Sequence, residues 1–210
     1  MATIEQIQRK LERIEKEINY LSTHVVAIGF FAGEDSQLLE IVRANEYGAH
    51  IVPKKGKYLW IPSREAIKKY GKSVRPRDVE EKMFIPKGKH VAVVSDGSGN
   101  LTTYFYLVKQ VDIPARPFIR KTFIDYQKKY ERYIRVGINE IIYKDGTGRR
   151  LLSKLGRTAV SDIRETTRRM YKPGNAPVTI ENKKGVNNPL VDTGLLQKKI
   201  TYKIIPTGGI

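Results

Sequence analysis

Cysteine is absent from this chain of 210 residues, which excludes disulfide bonds, cysteine-ligated zinc sites and thiol chemistry and suits a reducing cytoplasm. The chain also has no run of 18 apolar residues, so no membrane-spanning helix is predicted. Its first residues lack the basic segment and apolar core of a secretory signal. The hydrophobic content of 40% is nevertheless enough for a buried core. We therefore expect one folded domain over residues 1–210.

Acidic residues are few relative to basic ones, and the formal net charge is +17. The excess is uneven, because residues 113–172 hold 16 Lys and Arg against 6 Asp and Glu. A basic block of this kind binds nucleic acid or an acidic protein surface. Exposed helix faces give the same composition without any partner. Composition leaves both interpretations open.

The most informative short segment is residues 113–118, Ile-Pro-Ala-Arg-Pro-Phe. Each proline fixes its own φ and disfavours the α conformation in the residue before it, so a stiff extended strap is predicted. A strand-like run, residues 102–111, precedes the strap, and a long basic and aromatic stretch with helical spacing follows it. A rigid joint between a strand and a helix is typical of an assembly part rather than of a catalytic site.

The N-terminal segment has the most regular apolar pattern. Apolar residues recur in alternating steps of three and four, which predicts a helix with a heptad seam. The seam residues are Ile4, Ile7, Leu11, Ile14, Ile18, Leu21 and Val25. A coiled-coil arm that joins copies of the chain is one interpretation. An amphipathic helix on its own domain, or a contact within a ring, is the other and is favoured by the short length.

The remaining pattern predicts an α+β fold with an antiparallel sheet and two long helices packed on one face. The predicted sheet consists of residues 24–31, the hairpin 90–111 and residues 199–205. Residues 51–111 are predicted to be a β-rich insertion that also contains a strand at 58–61 and a short helix at 64–70. The long helices are predicted at 117–143 and 149–171. The first has an apolar stripe of Ile119, Phe123, Tyr126, Tyr130, Ile134, Ile138 and Ile141.

Several motifs resemble catalytic or metal sites without their structural context. Asp192-Thr193-Gly194 matches an aspartic-protease triplet, but only 16 residues follow it, too few for the surrounding β-structure. We expect Asp192 or Thr193 to cap a helical turn at 195–198, with Gly194 allowing close packing. Residues 96–100 start like a calcium loop, but their setting is that of a hairpin turn. His24, His50 and His90 have no metal-ligand spacing.

No catalytic, cofactor-binding or metal-ligating residue is therefore predicted, and we expect that the protein is not an enzyme and needs no cofactor. Tyr126, Tyr130 and Tyr133 alternate with basic residues, a pattern found where aromatic rings stack on single-stranded bases. Their helical spacing favours core packing with a basic outer face.

Five segments in a fixed order together resemble a known family. They are a leading helix, Val-Ala-Ile-Gly-Phe-Phe at 26–31, Asn-Glu-Tyr-Gly at 45–48, Ile-Pro-Ala-Arg-Pro-Phe-Ile-Arg at 113–120 and Pro-Leu-Val-Asp-Thr-Gly-Leu-Leu at 189–196. The ordered set is similar to the minor virion proteins of tailed bacteriophages called neck, tail-completion or virion-morphogenesis proteins. Lambda minor tail protein Z and the HK97-type tail component are examples. The resemblance covers most of the chain outside residues 51–110.

The resemblance implies a non-enzymatic α+β subunit of the head–tail junction that joins the tail to the head during virion assembly. Such a subunit is assembled in the host cytoplasm, forms a homo-oligomeric ring, with a hexamer favoured, and has no membrane contact. Its partners would be the tail terminator, the head-completion or connector ring, or another neck protein. The alternative is a basic nucleic-acid-binding protein that contacts DNA in the channel or in the host.

The predicted partner interface combines the strap, a basic face and the C-terminal triplet. Arg116 and Arg120 are expected to project from the strap toward a neighbouring subunit, or toward DNA in the channel. The full set is Pro114, Arg116, Pro117, Phe118, Arg120, Arg132, Arg135, Arg149, Arg150, Asp192, Thr193 and Gly194.

Overall fold

The computed structural model describes residues 3–31, 33, 36–183, 187–191 and 194–209. The helices are α1 (Ile4–Thr23), α2 (Ser36–Tyr47), α3 (Arg64–Tyr70), α4 (Phe118–Tyr143), α5 (Gly148–Arg169), α6 (Pro177–Asn182) and α7 (Leu195–Lys199). The strands are β1 (His24–Gly29), β2 (Ala49–Ile51), β3 (Leu59–Pro62), β4 (Met83–Phe84), β5 (Val91–Ser95), β6 (Leu101–Val108), β7 (Val111–Ile113) and β8 (Thr201–Pro206). All strand pairs are antiparallel, and the predicted α+β class is confirmed.

The chain forms two compact units, each built from separated pieces of sequence. The first contains residues 1–42, 117–170 and 193–210, and the second contains residues 43–116 and 171–192. The predicted insertion, residues 51–111, lies wholly within the second unit. The description of residues 1–210 as one domain stays a prediction.

The first unit is built around the β1–β8 pair, whose register runs from His24 opposite Pro206 to Gly29 opposite Thr201. Helix α5 packs on both strands, and α4 lies along α5. Gly156 permits the close approach of α5 to β8, because a Cβ there would lie 2.5 Å from Cγ of Tyr202. The fully buried Ile163 belongs to the sheet-facing helix as well.

The prediction of one sheet was wrong, although β1 and β8 do pair with each other. The hairpin formed by β5 and β6 belongs to a separate sheet in the second unit, with the order β3-β6-β5-β4. Both edges of the hairpin are therefore already occupied, and neither is available to β1 or β8. An alternating sequence identifies a strand but does not identify its partner.

The predicted stripe on α4 is only partly buried. Tyr130 and Ile141 are buried, whereas Phe123 and Ile134 are exposed. The buried face also includes the polar Thr122, whose hydroxyl donates to the Phe118 carbonyl over 2.6 Å, and Gly137. Small and internally bonded residues permit close helix packing, so apolar spacing alone placed the stripe incorrectly.

In the second unit, α3 packs on β6. The core there consists of Ala66, Val74, Ala92, Val94, Tyr104 and Phe105. A separate ribbon of β2 and β7 places His50 opposite Asp112. Helix α6 is tied to β3 by the Asn182 side-chain amide, which donates to the Pro62 carbonyl over 3.2 Å.

Candidate interaction surfaces

The strap at residues 113–118 is held closely by the end of α2. The Arg116 backbone N–H donates to the Asn45 carbonyl over 2.6 Å. Gly48 has φ +79°, and a Cβ there would lie only 3.0 Å from the Ile113 carbonyl oxygen. A glycine is therefore required at this position both by the backbone conformation and by the close approach of the strap.

The Arg116 side chain is buried, with 5% of its surface exposed. Its Nε and Nη2 atoms donate to the carbonyls of Pro173 and Gly174 over 2.8 and 2.7 Å. Its Nη1 atom donates to Oδ1 of Asn45 over 3.2 Å. Burial lowers the pKa of this guanidinium. The expectation that Arg116 projects toward a neighbour was wrong, because its planar fork fits acceptors inside the second unit.

Phe118 is fully buried as the first residue of α4, so it too cannot present its ring to a partner. Folding removes this aromatic ring from water. The prediction that Phe118 faces a neighbouring subunit was therefore wrong. Pro114 is exposed, Pro117 is half-buried immediately before α4, and Arg120 is exposed. Of the interface residues predicted between 114 and 120, Pro114 and Arg120 are thus the most accessible.

The four arginines of the predicted basic face are all exposed. Arg132 and Arg135 point away from α5, because Gly137 faces Leu151 of α5 and a helix turns by about 100° per residue. Arg150 borders a shallow groove between α4 and α5 together with Tyr133 and Glu140 of α4. Arg132 and Arg135 of α4 and Arg150 of α5 therefore do not form one continuous basic face.

Among the interleaved tyrosines, Tyr130 is buried, and burial raises its pKa. Lys129 donates to both oxygens of the buried Asp162 over 2.7 and 2.9 Å. Its ammonium also lies 5.0 Å from the centroid of the Tyr126 ring. Lys129 thus links α4 to α5 through a polar contact. Tyr130 packs in the core, as its helical spacing predicts.

The predicted triplet at 192–194 is described only at Gly194, because Asp192 and Thr193 lie outside the described residues. Gly194 adopts a left-handed conformation with φ +75° and immediately precedes α7. Its carbonyl accepts from the backbone N–H of Lys198 over 3.1 Å. The predicted helical turn at 195–198 is present as α7.

Helix α1 leaves most of its heptad seam exposed while its other side holds the first unit. Arg13 donates to the Ile141 carbonyl over 2.8 Å, and Glu17 accepts from the Gly148 backbone N–H over 2.7 Å. The seam carries Ile4, Ile7, Leu11 and Ile18, which are 81%, 50%, 60% and 43% exposed. All residues from 3 to 12 are exposed. The helix is therefore both anchored on its own unit and unpartnered along one apolar stripe.

A second basic surface was not predicted as a site. Residues 53–58 and 86–90 form two lysine-rich turns at one end of the four-stranded sheet, where the rings of Tyr58 and His90 lie 5.5 Å apart. The signal was visible in the sequence as two similar short motifs. Their proximity was not visible, because it depends on strand order.

The histidines occupy three different settings. His24 stacks on Tyr20 with ring centroids 4.0 Å apart, His50 lies 2.5 Å from Asp112, and His90 lies against Tyr58. No group of three or more His, Asp or Glu side chains in the described part of the chain is arranged to hold a metal ion. None of the helices described combines the length and apolar content needed to cross a membrane.

Comparisons of this chain with protein-family models, with curated proteins and with solved structures gave no match.

Proposed function

We propose that this protein is a structural subunit of the head–tail junction of a tailed bacteriophage and that it joins the tail to the head during assembly. The ordered motifs at 26–31, 45–48, 113–120 and 189–196 indicate this class of protein. The observation that carries an assembly role is the exposed seam of α1. An apolar helical stripe of this length in water is typical of a surface that another chain covers.

The composition of α1 favours a second copy of this chain as the first neighbour. In a parallel pair of heptad helices, residues at g contact residues at e of the partner. With Ile4 at position a, Lys10 occupies g and Glu15 occupies e. Two copies in parallel therefore form the Lys10–Glu15 attraction twice across the seam. This contact is two-fold symmetric and joins the chains in pairs, so closing the ring that this function requires needs a second, different contact between pairs.

The remaining exposed surface is suited to a different neighbour in the particle. Arg132 and Arg135 are exposed on the side of α4 away from α5 and are positively charged, so they complement an acidic face on a tail terminator or connector ring. Charge complementarity of this kind accelerates docking and orients the partners, while apolar contacts supply most of the affinity.

Deletion of the gene from its phage tests the proposal. The expected result is an accumulation of DNA-filled heads and separate finished tails, which electron microscopy distinguishes from complete particles. Supplying the intact protein in the deletion lysate should restore infectious particles. Normal infectious particles without the gene product would refute the proposal.

A further inference from the structure

Two short segments of the second unit have the same order of residue types. Residues 53–58 read Pro-Lys-Lys-Gly-Lys-Tyr, and residues 86–90 read Pro-Lys-Gly-Lys-His. Each segment is a turn whose glycine has a positive φ, +82° at Gly56 and +73° at Gly88, with open space beside it. Each turn ends in an aromatic ring just before a strand. We refer to these two segments as the lysine turns.

The sheet places the lysine turns side by side. Strands β3 and β5 both run antiparallel to β6, on either side of it. The beginnings of β3 and β5 therefore lie at the same end of the sheet as the end of β6. Leu59 is opposite Val108, and the Leu107 backbone N–H donates to the His90 carbonyl over 2.8 Å. This pairing explains the contact between the two rings.

Lysines predominate among the charged residues at this end of the sheet. Six exposed lysines lie on the two turns and directly after the end of β6, namely Lys54, Lys55, Lys57, Lys87, Lys89 and Lys109. Residues 52–61, 85–92 and 103–111 contain no Asp or Glu. Within the described residues, none of the six forms an ion pair. Two carboxylates lie nearby, those of Asp112, which contacts His50, and Glu181, which accepts from the Tyr106 hydroxyl. Six lysines against two carboxylates leave the local field positive.

We propose that the lysine turns, together with Lys109, bind the phosphate backbone of a nucleic acid. Exposed lysines with long, flexible side chains suit a repeated anion such as the phosphodiester backbone, because each ammonium can reach a separate phosphate. The exposed His90 ring, supported by Tyr58, adds a flat surface on which an unpaired base stacks. This combination favours nucleic acid over an acidic protein. The proposal does not depend on the role at the head–tail junction.

Fluorescence anisotropy with the purified full-length protein tests the proposal. The probes are a labelled 20-nucleotide single strand and a labelled 20-base-pair duplex, each measured over a series of salt concentrations. Lys57→Gln/Lys89→Gln should lower the magnitude of the duplex salt slope by about 1.8, since each lost phosphate contact removes about 0.9. The affinity at low salt should fall about tenfold or more. Circular dichroism verifies that the variant is folded.

The matched control is Lys68→Gln/Lys82→Gln, which removes the same charge from exposed positions of the same unit that lie outside the lysine turns. This control should retain nearly the original slope. Equal losses in the two double variants would overturn the proposal in favour of general charge attraction. Binding of polyglutamate without binding of either DNA would overturn it in favour of an acidic protein partner.

A third variant tests the ring. His90→Ala should weaken binding of the single strand several-fold and leave duplex binding nearly unchanged, because only an unpaired base exposes its face for stacking. Unchanged affinity for the single strand would overturn the part of the proposal that assigns a base to this ring. The anisotropy assay and the gene deletion can each fail without the other, so the two proposals are tested separately.

Discussion

Arg116 shows how a charged residue can serve the interior of this protein. Its guanidinium is buried and uses three nitrogens on three neutral oxygen acceptors, two from residues 173 and 174 and one from Asn45. A hydrogen bond from a charged donor is stronger than one between neutral groups. The side chain therefore joins the strap to a segment far along the chain.

Replacing Arg116 should destabilise the second unit. Arg116→Ala removes the donors from three oxygen acceptors and leaves a cavity at a buried position, and we expect the free energy of unfolding to fall by about 2–4 kcal/mol. Arg116→Lys should recover little of this loss, because an ammonium lacks the fork geometry. Urea unfolding monitored by circular dichroism measures the free energy of unfolding of both variants.

Arg64→Ala is the control for this series, since Arg64 is exposed in the same unit. Its effect should stay within about 0.5 kcal/mol. A similar small effect for Arg116→Ala would contradict the structural role assigned to the buried guanidinium.

Gly156 offers a second test at the residue scale. Gly156→Ala should lower stability by about 1–3 kcal/mol, because the new methyl group overlaps the Tyr202 ring and overpacking outweighs the gain in helix propensity. Thermal unfolding of the single and double variants measures the effect. In a Tyr202→Ala background the sign should reverse, so that alanine stabilises α5 by up to about 1 kcal/mol. The same destabilisation in both backgrounds would mean that the ring is not the obstacle.

At the scale of elements, Glu81 ties α3 to β6. Its carboxylate accepts hydrogen bonds from Lys69 and Tyr70 of α3 and from Tyr104 of β6 over 3.1 Å. The Lys69 bond, followed by the Tyr70 bond, lowers the pKa of Glu81 from 4.5 to about 2. One carboxylate therefore satisfies three donors on two elements of the second unit.

This contact predicts a defined pH dependence. Because the pKa of Glu81 is lower in the folded protein, its ionised form stabilises the fold above pH 4.5, and this contribution is lost as the pH falls toward about 2. Glu81→Gln should lower the urea midpoint at pH 7. The difference in midpoint from the unaltered protein should disappear as the pH approaches about 2. Urea titrations at several pH values measure it.

Glu80→Gln is the neighbouring control, because Glu80 is exposed and only its backbone N–H contacts this cluster. Its urea midpoint should match that of the unaltered protein over the whole pH range. A shift at pH 7 as large as that of Glu81→Gln would show that general charge, rather than the three-donor contact, is responsible.

At the scale of the whole molecule, the α1 seam predicts self-association. Ile7→Ser/Leu11→Ser should leave the protein monomeric at concentrations at which the original chain assembles, because it removes two exposed apolar side chains from the middle of the stripe. Sedimentation velocity over a range of concentrations measures this. Glu12→Ser/Lys16→Ser, off the seam on the same helix, should assemble normally.

The direction of the helices can be tested by charge reversal. Lys10→Glu should weaken assembly, and adding Glu15→Lys should restore it, because the two positions face each other only between parallel copies. Failure of the double reversal to restore assembly would exclude the parallel pair. If the unaltered protein stays monomeric at every concentration, the α1 seam does not mediate self-association and does not support the proposed function.

Local patterns in the sequence were sufficient for several elements of this fold. The helix at 64–70 was predicted with the observed bounds. The hairpin arms, predicted at 90–95 and 101–111, differ from β5 and β6 only at their outer ends. Strands β2, β4 and β7 have two or three residues each, which is too short for a periodic signal. Their existence depends on tertiary pairing rather than on local preference.

The candidate sites were harder to predict for the same physical reason. The burial of Arg116 depends on the carbonyls of Pro173 and Gly174. Every residue type, proline included, supplies a backbone carbonyl, so the sequence carries no signal for these acceptors. The two lysine turns can be recognised in the sequence from their composition, but their proximity depends on the strand order β3-β6-β5. The seam of α1 was the most predictable feature, since it depends on spacing alone.

The pairing of β1 with β8 has a consequence for biosynthesis. Strand β1 leaves the ribosome early, but its partner in the sheet, residues 201–206, is made more than 170 residues later. Helix α5 is thus complete before the sheet on which it packs can exist. Until β8 is made, α1, β1 and α5 leave apolar surface exposed to the crowded cell. We expect this delay to slow folding and to make the nascent chain a substrate for chaperones. Nascent chains truncated before residue 201 should therefore be far more sensitive to protease in the first unit than the released protein.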